Sequence, residues 1–274
     1  MKALVDADLF VYRLSSAYDN KYYRYRGVEY EYIGDIHKLY PDADRGAIEE
    51  GKNPEGEEKV IKSTRKYMEE QLDVLSGLSI QLYLSGGANF RYKLGTIKNY
   101  KANRSKDKPV HFDLIKQLLV DDYGAICSSG IECDDLIAYN TRPYEDLIYT
   151  VDKDFMQIPG YLLNFVTREC KEVGKLDALR YFYTQVYVGD STDNIPGLYG
   201  AGAKSTLVKR LYSMSTEEEM FNAVREDYKS RYWNYADKFL QENLQLLWLT
   251  TKEEHWPMWI HEYGLSSFYK GLKP

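Results

Sequence analysis

GIECDDLIAYNTRPYEDLIYTVDKD, residues 130–154, holds a helix signal and a strand signal side by side. GIECDDLIAY begins with acidic residues and continues with apolar ones, which predicts a helix that opens near residue 130. DLIYT is apolar and rich in β-formers, and it predicts a buried strand with Asp152 and Asp154 at its carboxyl end. A helix followed by a buried strand is typical of a parallel α/β sheet.

The same alternation extends to both sides of this stretch. Toward the amino terminus we predict, in chain order, a strand at 2–11 that is β-prone up to Asp6, a helix at 57–75, a strand at 79–85, a helix at 112–121 and a short strand around AICSS (125–129). A tyrosine-rich hairpin at 22–32 and a mobile polar loop at 41–59 interrupt this pattern, and beyond residue 176 we predict helices. The sequence thus predicts an α/β fold with a mostly parallel central sheet flanked by helices, and a helical C-terminal lobe.

The 274-residue chain has 44% hydrophobic and 28% charged residues and a formal net charge of −6. No apolar run reaches the roughly 20 residues of a membrane helix, and the first residues lack the features of a signal peptide. We therefore expect a cytoplasmic protein with no membrane partner. Three cysteines without a CxxC pair and four histidines without an HExxH spacing argue against a disulfide framework or a zinc site, so a metal would be held by oxygen.

Positive charge is concentrated in one segment, residues 91–116, which has eight basic and two acidic residues. Basic and aromatic side chains alternate in FRYK (90–93) and NYKANR (99–104), as stacking on bases and contacts to phosphates require. This pattern predicts a nucleic-acid surface, and the alternative is a solvated basic surface. The predicted contacts are Arg91, Lys93, Tyr100, Lys101 and Arg104.

Nine acidic residues are predicted to meet at one edge of the sheet, because the carboxyl ends of parallel strands share an edge. Strand alternation would put the first pair of acids, at 6 and 8, on one side, and likewise the pair at 152 and 154. A spacing of three would put the acids at 132 and 135, and again those at 190 and 193, on one helix face. The full set is Asp6, Asp8, Glu132, Asp134, Asp135, Asp152, Asp154, Asp190 and Asp193.

So many like charges in one cleft need protons or cations, and Mg²⁺ or Mn²⁺ suits carboxylate oxygens. Two such ions about 4 Å apart activate a water and stabilise the leaving oxygen of a phosphodiester, which predicts metal-assisted hydrolysis. Each motif also has another interpretation. The acids at 132–135 could have no role beyond stabilising the start of a helix. Asp190 or Ser191 could be an N-cap. A DxD motif such as that at 6–8 also opens aspartyl-phosphate phosphatases.

GDSTDNIPGLYGAGAKS, residues 189–205, joins two of these acids to a glycine-rich turn. Glycines let the backbone approach a phosphate closely, and the amides that open the following helix can bind its oxygens. Such contacts hold duplex DNA without reading its sequence. The other interpretation is a tight interhelical turn without a ligand. The residues concerned are Gly197, Gly200, Gly202, Lys204, Ser205 and Thr206.

Five motifs, in this order and spacing, resemble those of the 5′ nuclease superfamily: VDAD (5–8), YKANR (100–104), GIECDD (130–135), TVDKD (150–154) and the glycine-rich turn. This superfamily includes flap endonucleases, the 5′ nuclease domain of bacterial DNA polymerase I and the phage 5′→3′ exonucleases. The resemblance runs from residue 3 to about 212. It implies a PIN-like catalytic domain over 1–175 with a helical arch within 91–121, and a helical lobe over 176–274 with a helix-three-turn-helix element at about 186–212.

The resemblance also implies roles for individual residues. Asp6, Glu132, Asp134 and Asp135 would hold the metal nearer the reacting phosphate, Asp152 and Asp154 would lie between two ions, and Asp190 and Asp193 would face the second. Asp8 stands where some relatives have asparagine. Lys101 and Arg104 would lie over the scissile phosphate, Tyr100 would stack on a base, and K⁺ would bind in the glycine-rich turn. Many relatives have an aspartate where this chain has Gly86 and Gly87, which predicts weaker binding of one metal.

The activity implied is that of a metal-dependent 5′→3′ exonuclease or flap endonuclease, phage-encoded, acting in replication, primer removal or recombination. Its expected substrates are double-stranded DNA with a 5′ end or flap and single-stranded 5′ DNA, with an RNA–DNA hybrid as a further candidate, and the protein is expected to be a monomer. Two alternatives stay open. A PIN-type ribonuclease shares the acidic sheet edge, and a structure-specific DNA-binding protein that has lost catalysis would fit the missing acid at Gly86.

Overall fold

The computed structural model describes residues 1–87, 89–104 and 107–272. The chain divides into two compact units. The first unit is Met1–Asp6, Gly77–Lys106 and Ile126–Pro274, and the second is Ala7–Ser76 and Asp107–Ala125. The predicted domain boundary at residue 175 lies inside the first unit and stays a prediction, as does the arch. Two residues of that arch, Ser105 and Lys106, lie outside the described residues.

The strands are β1 (Lys2–Asp6), β2 (Lys21–Tyr25), β3 (Val28–Tyr30), β4 (Glu49–Lys52), β5 (Ser79–Leu84), β6 (Ile126–Cys127), β7 (Leu147–Tyr149), β8 (Gly160–Leu163) and β9 (Cys170–Val173). The helices are α1 (Asp8–Ala17), α2 (Ile33–Leu39), α3 (Glu57–Asp73), α4 (Phe112–Tyr123), α5 (Cys133–Asn140), α6 (Lys175–Val188), α7 (Thr206–Leu211), α8 (Glu217–Tyr232), α9 (Ala236–Leu247), α10 (Met258–Glu262) and α11 (Ser266–Gly271).

The first unit is built on a six-stranded sheet with the order β6-β5-β1-β7-β8-β9. Neighbouring strands run parallel except β8 and β9, so the predicted mostly parallel sheet is confirmed. β1 is central because Ala3, Leu4 and Val5 are all fully buried. A strand covered on both faces needs such a continuous apolar run. Strands β8 and β9 were not predicted, since GYLL and CKEV are short and the second is polar.

The part of the first unit after β9 is helical, as predicted, and comprises α6 to α11. Its core is aromatic. Tyr183, Phe221 and Trp259 have no more than 1% of their surface exposed, and Trp248 packs edge-on against Trp259 at a ring distance of 5.7 Å. Such contacts add to the apolar area that these large side chains bury.

The second unit contains α1, the three-stranded sheet β3-β2-β4, and helices α2 to α4. The predicted tyrosine-rich hairpin is confirmed: β2 and β3 pair antiparallel, and their turn has Arg26 and Gly27 at positive φ. The predicted mobile loop at 41–59 was wrong in part, because Glu49–Lys52 forms β4 and pairs with β2. That strand is polar and is held by ion pairs such as Lys21 to Glu50 at 2.9 Å, so its composition looked like that of a loop.

Across the described ranges, no helix combines the length and the apolar character needed to cross a lipid bilayer.

Candidate metal and nucleic-acid site

The ends of two neighbouring strands bring the first carboxylates together. Asp6 is the last residue of β1 and is 2% exposed, and its Oδ2 accepts a hydrogen bond of 3.0 Å from the Thr150 hydroxyl. Thr150 follows β7, the parallel neighbour of β1, and its hydroxyl oxygen in turn accepts from the Asp152 amide at 3.0 Å. Thr150 therefore links Asp6 to the segment that carries Asp152.

The start of α5 adds Glu132 and Asp134 to this edge. The pKa of Asp134 is raised well above its usual range by burial of the carboxylate and then by the charges of Asp6, Asp152 and Glu132. The contributions of Asp6, Asp152 and Glu132 to this pKa require their charges to lie close to Asp134, so these four groups form one cluster.

A second group of carboxylates adjoins the first through Asp152. Burial raises the pKa of Asp154 to about 6, with further contributions from the charges of Asp152 and Asp190. The Gln185 amide donates a 2.7 Å hydrogen bond to Asp154 Oδ1, which favours the charged form and holds the carboxylate in place. Asp190 is fixed by backbone hydrogen bonds in both directions with Ile195, at 2.9 and 2.7 Å.

The local geometry predicted for three acidic pairs was wrong. β1 ends at Asp6, and Asp8 is the first residue of α1 in the second unit. Asp152 and Asp154 lie beyond β7, where Asp152 accepts from the Asp154 amide at 2.8 Å and caps a short 3₁₀ helix. Asp190 and Asp193 lie in the loop between α6 and α7 rather than on a helix face. Asp8 begins a helix, and Asp152 and Asp190 each accept a hydrogen bond from a backbone amide two residues further on. Such local turns do not follow the side-chain period of a strand or helix, so the spacing of the acids did not predict them.

Asp135 has different partners from the other acids. It is fully buried and pairs with both terminal nitrogens of Arg91, with Nη2 at 2.8 Å from Oδ1. It also accepts from the Thr250 amide at 2.8 Å and the Glu132 amide at 3.1 Å. Arg91 lowers the pKa of Asp135 despite its burial. Asp135 and Glu132 also form a capping box at the start of α5, so the helix-start interpretation describes this pair.

Two cations reach the carboxylate cluster from the segment before residue 105. Lys101 forms an ion pair with Glu132 and lies 3.6 Å from Asp193 Oδ2, and Arg104 pairs with Asp193. Burial acts to lower the pKa of Lys101, but Glu132 and Asp193 raise it overall, so the ammonium group stays charged. These contacts put Lys101 and Arg104 beside the acids.

Two of the residues predicted to contact DNA lie where DNA cannot reach them. Arg91 is 1% exposed, in the ion pair with Asp135. Tyr100 is 5% exposed, and its hydroxyl donates to Glu132 at 2.8 Å, so its ring has no free face on which a base could stack. Lys93 is exposed. The basic segment thus divides into a buried part, which anchors the loop, and an exposed part.

The glycine-rich turn is a tight link between α6 and α7. Gly197 has a φ of +61°, and a Cβ there would lie 2.3 Å from the Gly189 nitrogen, so no other residue fits. Gly200 and Gly202 leave their surroundings open, and the Gly202 amide donates to the Ser205 hydroxyl at 2.9 Å. Ser205 precedes α7, and Lys204 and Thr206 flank it. These contacts neither require nor exclude a phosphate, so the predicted duplex contacts stay predictions.

Gly86 and Gly87 stand where many relatives are expected to have an aspartate, and the fold has no room for a side chain at one of them. A Cβ on Gly86 would lie 1.7 Å from the Ser128 carbonyl oxygen, whereas a Cβ on Gly87 meets nothing within 4 Å. The backbone of Ser128 is fixed there by its amide, which donates to Leu84 at 2.8 Å. A carboxylate could therefore be introduced at Gly87 but not at Gly86.

Several residues that support the cluster are not among the predicted site residues. Gln185 holds Asp154, Thr150 holds Asp6, and Asn89 donates to Glu132 at 3.0 Å. Glu242, in α9, binds the loop that leads to Lys101. Thr150 lies within the TVDKD motif, and the other three are single polar residues in otherwise ordinary segments, so only their contacts in the fold reveal what they support.

Comparison with known proteins gives one match to a curated sequence. The chain is 30% identical over 142 residues to DNA polymerase I of Deinococcus radiodurans. The match covers 46% of this chain and 15% of the polymerase. No family model matches the chain. Among solved structures, the flap endonuclease of bacteriophage T5 in a pseudo-enzyme–product complex with DNA and metal ions is similar at 14% identity and a TM-score of 0.47, covering 89% of this chain and 98% of that one.

The catalytic core of Rad2 in complex with a DNA substrate is similar at 12% identity and a TM-score of 0.43, covering 95% of this chain and 77% of that one. The resemblance to bacterial DNA polymerase I that the motifs predicted is confirmed by the polymerase match, and it extends over less than half of the chain.

Proposed function

We propose that the protein is a divalent-metal-dependent 5′ nuclease that hydrolyses DNA phosphodiester bonds, as a 5′→3′ exonuclease or flap endonuclease. The observation that carries this proposal is the cluster of Asp6, Glu132, Asp134 and Asp152 at one sheet edge, with Lys101 beside it. Carboxylates this close to one another are expected to bind protons or cations. A role in phage replication, primer removal or recombination follows from the motif resemblance.

The donor set fits hard divalent cations, because every proposed ligand is a carboxylate oxygen. Asp6, Glu132 and Asp134 would hold one ion, Asp152 would lie between two, and Asp154, Asp190 and Asp193 would face the second. The assignment of Asp8 as a ligand stays a prediction that rests on the sequence motif. We leave Asp135 out, since protein groups already donate four hydrogen bonds to its oxygens. When bound, two Mg²⁺ or Mn²⁺ ions would activate a water and stabilise the leaving oxygen.

The residues of the chain would supply the rest of the chemistry. Lys101 and Arg104, now paired with carboxylates, would exchange those partners for the oxygens of the scissile phosphate and neutralise its charge in the transition state. The glycine-rich turn would hold the duplex at a fixed distance from that phosphate, with K⁺ as a further ligand of its carbonyl groups. Gln185 would keep Asp154 oriented, and Thr150 would keep Asp6 oriented.

A nuclease assay with 5′-labelled flap, nicked and blunt DNA tests the proposal, with a matched RNA strand to detect ribonuclease activity. We expect cleavage of DNA with Mg²⁺ and none with EDTA. Asp152→Asn should abolish cleavage but leave flap binding intact, whereas the exposed Asp177→Asn should cleave like the parent. A parent that cuts no DNA with Mg²⁺ or Mn²⁺, or an Asp152→Asn protein that cuts at the parental rate, would refute it.

A further inference from the structure

Glu242 accepts three hydrogen bonds from Thr96 and Ile97, which lie in a loop about 145 residues earlier in the chain. It lies in α9 and is 7% exposed. Its Oε1 accepts from the Thr96 and Ile97 amides, each at 2.8 Å, and its Oε2 accepts from the Thr96 hydroxyl. Hydrogen bonds to a charged group are stronger than those between neutral groups, so this carboxylate is a firm anchor for the loop.

The loop held by Glu242 leads directly to Lys101. Residues 94–100 form neither helix nor strand, and the Thr96 and Ile97 amides use the Glu242 carboxylate as their acceptor. The loop folds back tightly at Gly95, where a Cβ would lie 2.7 Å from the Lys98 carbonyl oxygen. At its end Lys101 has a φ of +54°, and its amide donates to the Asp193 carbonyl at 2.9 Å.

A lysine at positive φ is strained and persists only where the surroundings hold it. Here the surroundings hold it from two sides: Asp193 holds Lys101 itself, and Glu242 holds the turn that precedes it. The orientation of the Lys101 side chain toward the carboxylates therefore depends on a helix that contributes no acid to the cluster.

We propose that Glu242 is a positioning residue for phosphodiester cleavage: it fixes the 94–100 loop and thereby aims Lys101 at the scissile phosphate. The proposal rests on the proposed nuclease function. A displacement of about 1 Å at a reacting group can lower a rate about 100-fold, so loss of this anchor should act on the chemical step.

The first test compares Glu242→Ala with Glu226→Ala, an exposed glutamate of α8. Glu242→Ala should lower the single-turnover cleavage rate about 10- to 100-fold. It should leave Mn²⁺ affinity unchanged, because Glu242 is outside the acidic cluster, and should speed hydrogen exchange at the Thr96 and Ile97 amides. Glu242→Gln should recover most of the rate, since its oxygen can still accept from both amides. Glu226→Ala should match the parent in every measurement.

A double-mutant cycle with Lys101→Ala separates positioning from general destabilisation. If Glu242 acts through Lys101, the double variant should be no slower than Lys101→Ala alone, because interacting residues are not additive. Additive losses, or a Glu242→Ala protein that cleaves at the parental rate, would overturn the inference. Should Glu242→Ala fail to fold, Thr96→Val removes one of the three bonds and is judged by the same cycle. An inactive parent would instead overturn the nuclease function itself.

Discussion

Asp134 and Asp135 are adjacent, yet replacing each by asparagine should change the stability of the metal-free protein in opposite directions. Asp135 is stabilised in its charged form by Arg91, which lowers its pKa, whereas burial and nearby like charges raise the pKa of Asp134. The fold therefore favours a charge at residue 135 and disfavours one at 134.

The size of the loss at Asp135 follows from its partner. Asp135→Asn would leave Arg91, which is 1% exposed, with the carbonyls of Leu246 and Trp248 at 3.0 and 2.5 Å and with Glu132 at 3.5 Å. Removing one member of a buried ion pair costs about 3–5 kcal/mol. At about 2–4 °C per kcal/mol for a protein of this size, Tm should fall by about 6–20 °C.

The stability gained by Asp134→Asn follows from the linkage between proton binding and folding. A carboxylate whose pKa is raised in the fold binds more protons folded than unfolded, so stability is lost as pH rises above its unfolded pKa of about 3.9. At pH 7 the raised pKa of Asp134 therefore destabilises the metal-free fold. Asp134→Asn removes the titrating group, and its Tm in EDTA should exceed that of the parent.

Thermal unfolding followed by circular dichroism at pH 7, first in EDTA and then in Mg²⁺, measures both effects. Mg²⁺ should raise the Tm of the parent, since a ligand that binds only the folded state stabilises it, and should raise that of Asp134→Asn much less. An Asp135→Asn protein that unfolds within about 2 °C of the parent, or an Asp134→Asn protein that unfolds below the parent in EDTA, would contradict these opposite effects.

Three further outcomes follow from the same contacts. Gly86→Ala should destabilise the protein by about 3 kcal/mol because its Cβ would overlap the Ser128 carbonyl, whereas Gly87→Ala should stay within about 0.5 kcal/mol in urea unfolding. The carboxyl of Asp154, with its pKa of about 6, should make the metal-free protein less stable as pH rises from about 4 to 6, and an Asp154→Asn variant should lose that slope. Thr216→Ala removes a capping box from α8 and should cost about 1 kcal/mol by the same urea titration.

The sheet could be predicted from the sequence because its central strands, β1, β5 and β7, are short runs of largely apolar residues. Acids lie at the end of β1 and after β7, and the parallel pairing of these two strands brings Asp6 and the segment of Asp152 to one edge. What the pattern could not give was where each strand stops. β1 ends because Ala7 already has helical backbone angles, so Asp8 begins a helix instead of alternating with Asp6.

The functions of neighbouring acids and bases could not be predicted because they depend on partners far along the chain. Arg91 looked like a DNA contact within a basic segment, but its partners are Asp135, 44 residues away, and the Leu246 carbonyl, 155 residues away. Glu242 lies 146 residues from the amide of Thr96 that it binds. Charge in a sequence reports only what a side chain can do. The fold decides which charged side chains pair with each other to hold the site and which can bind a metal or a phosphate. Asp135 and Arg91 pair with each other, whereas Asp134 and Lys101 are proposed to bind a metal and a phosphate.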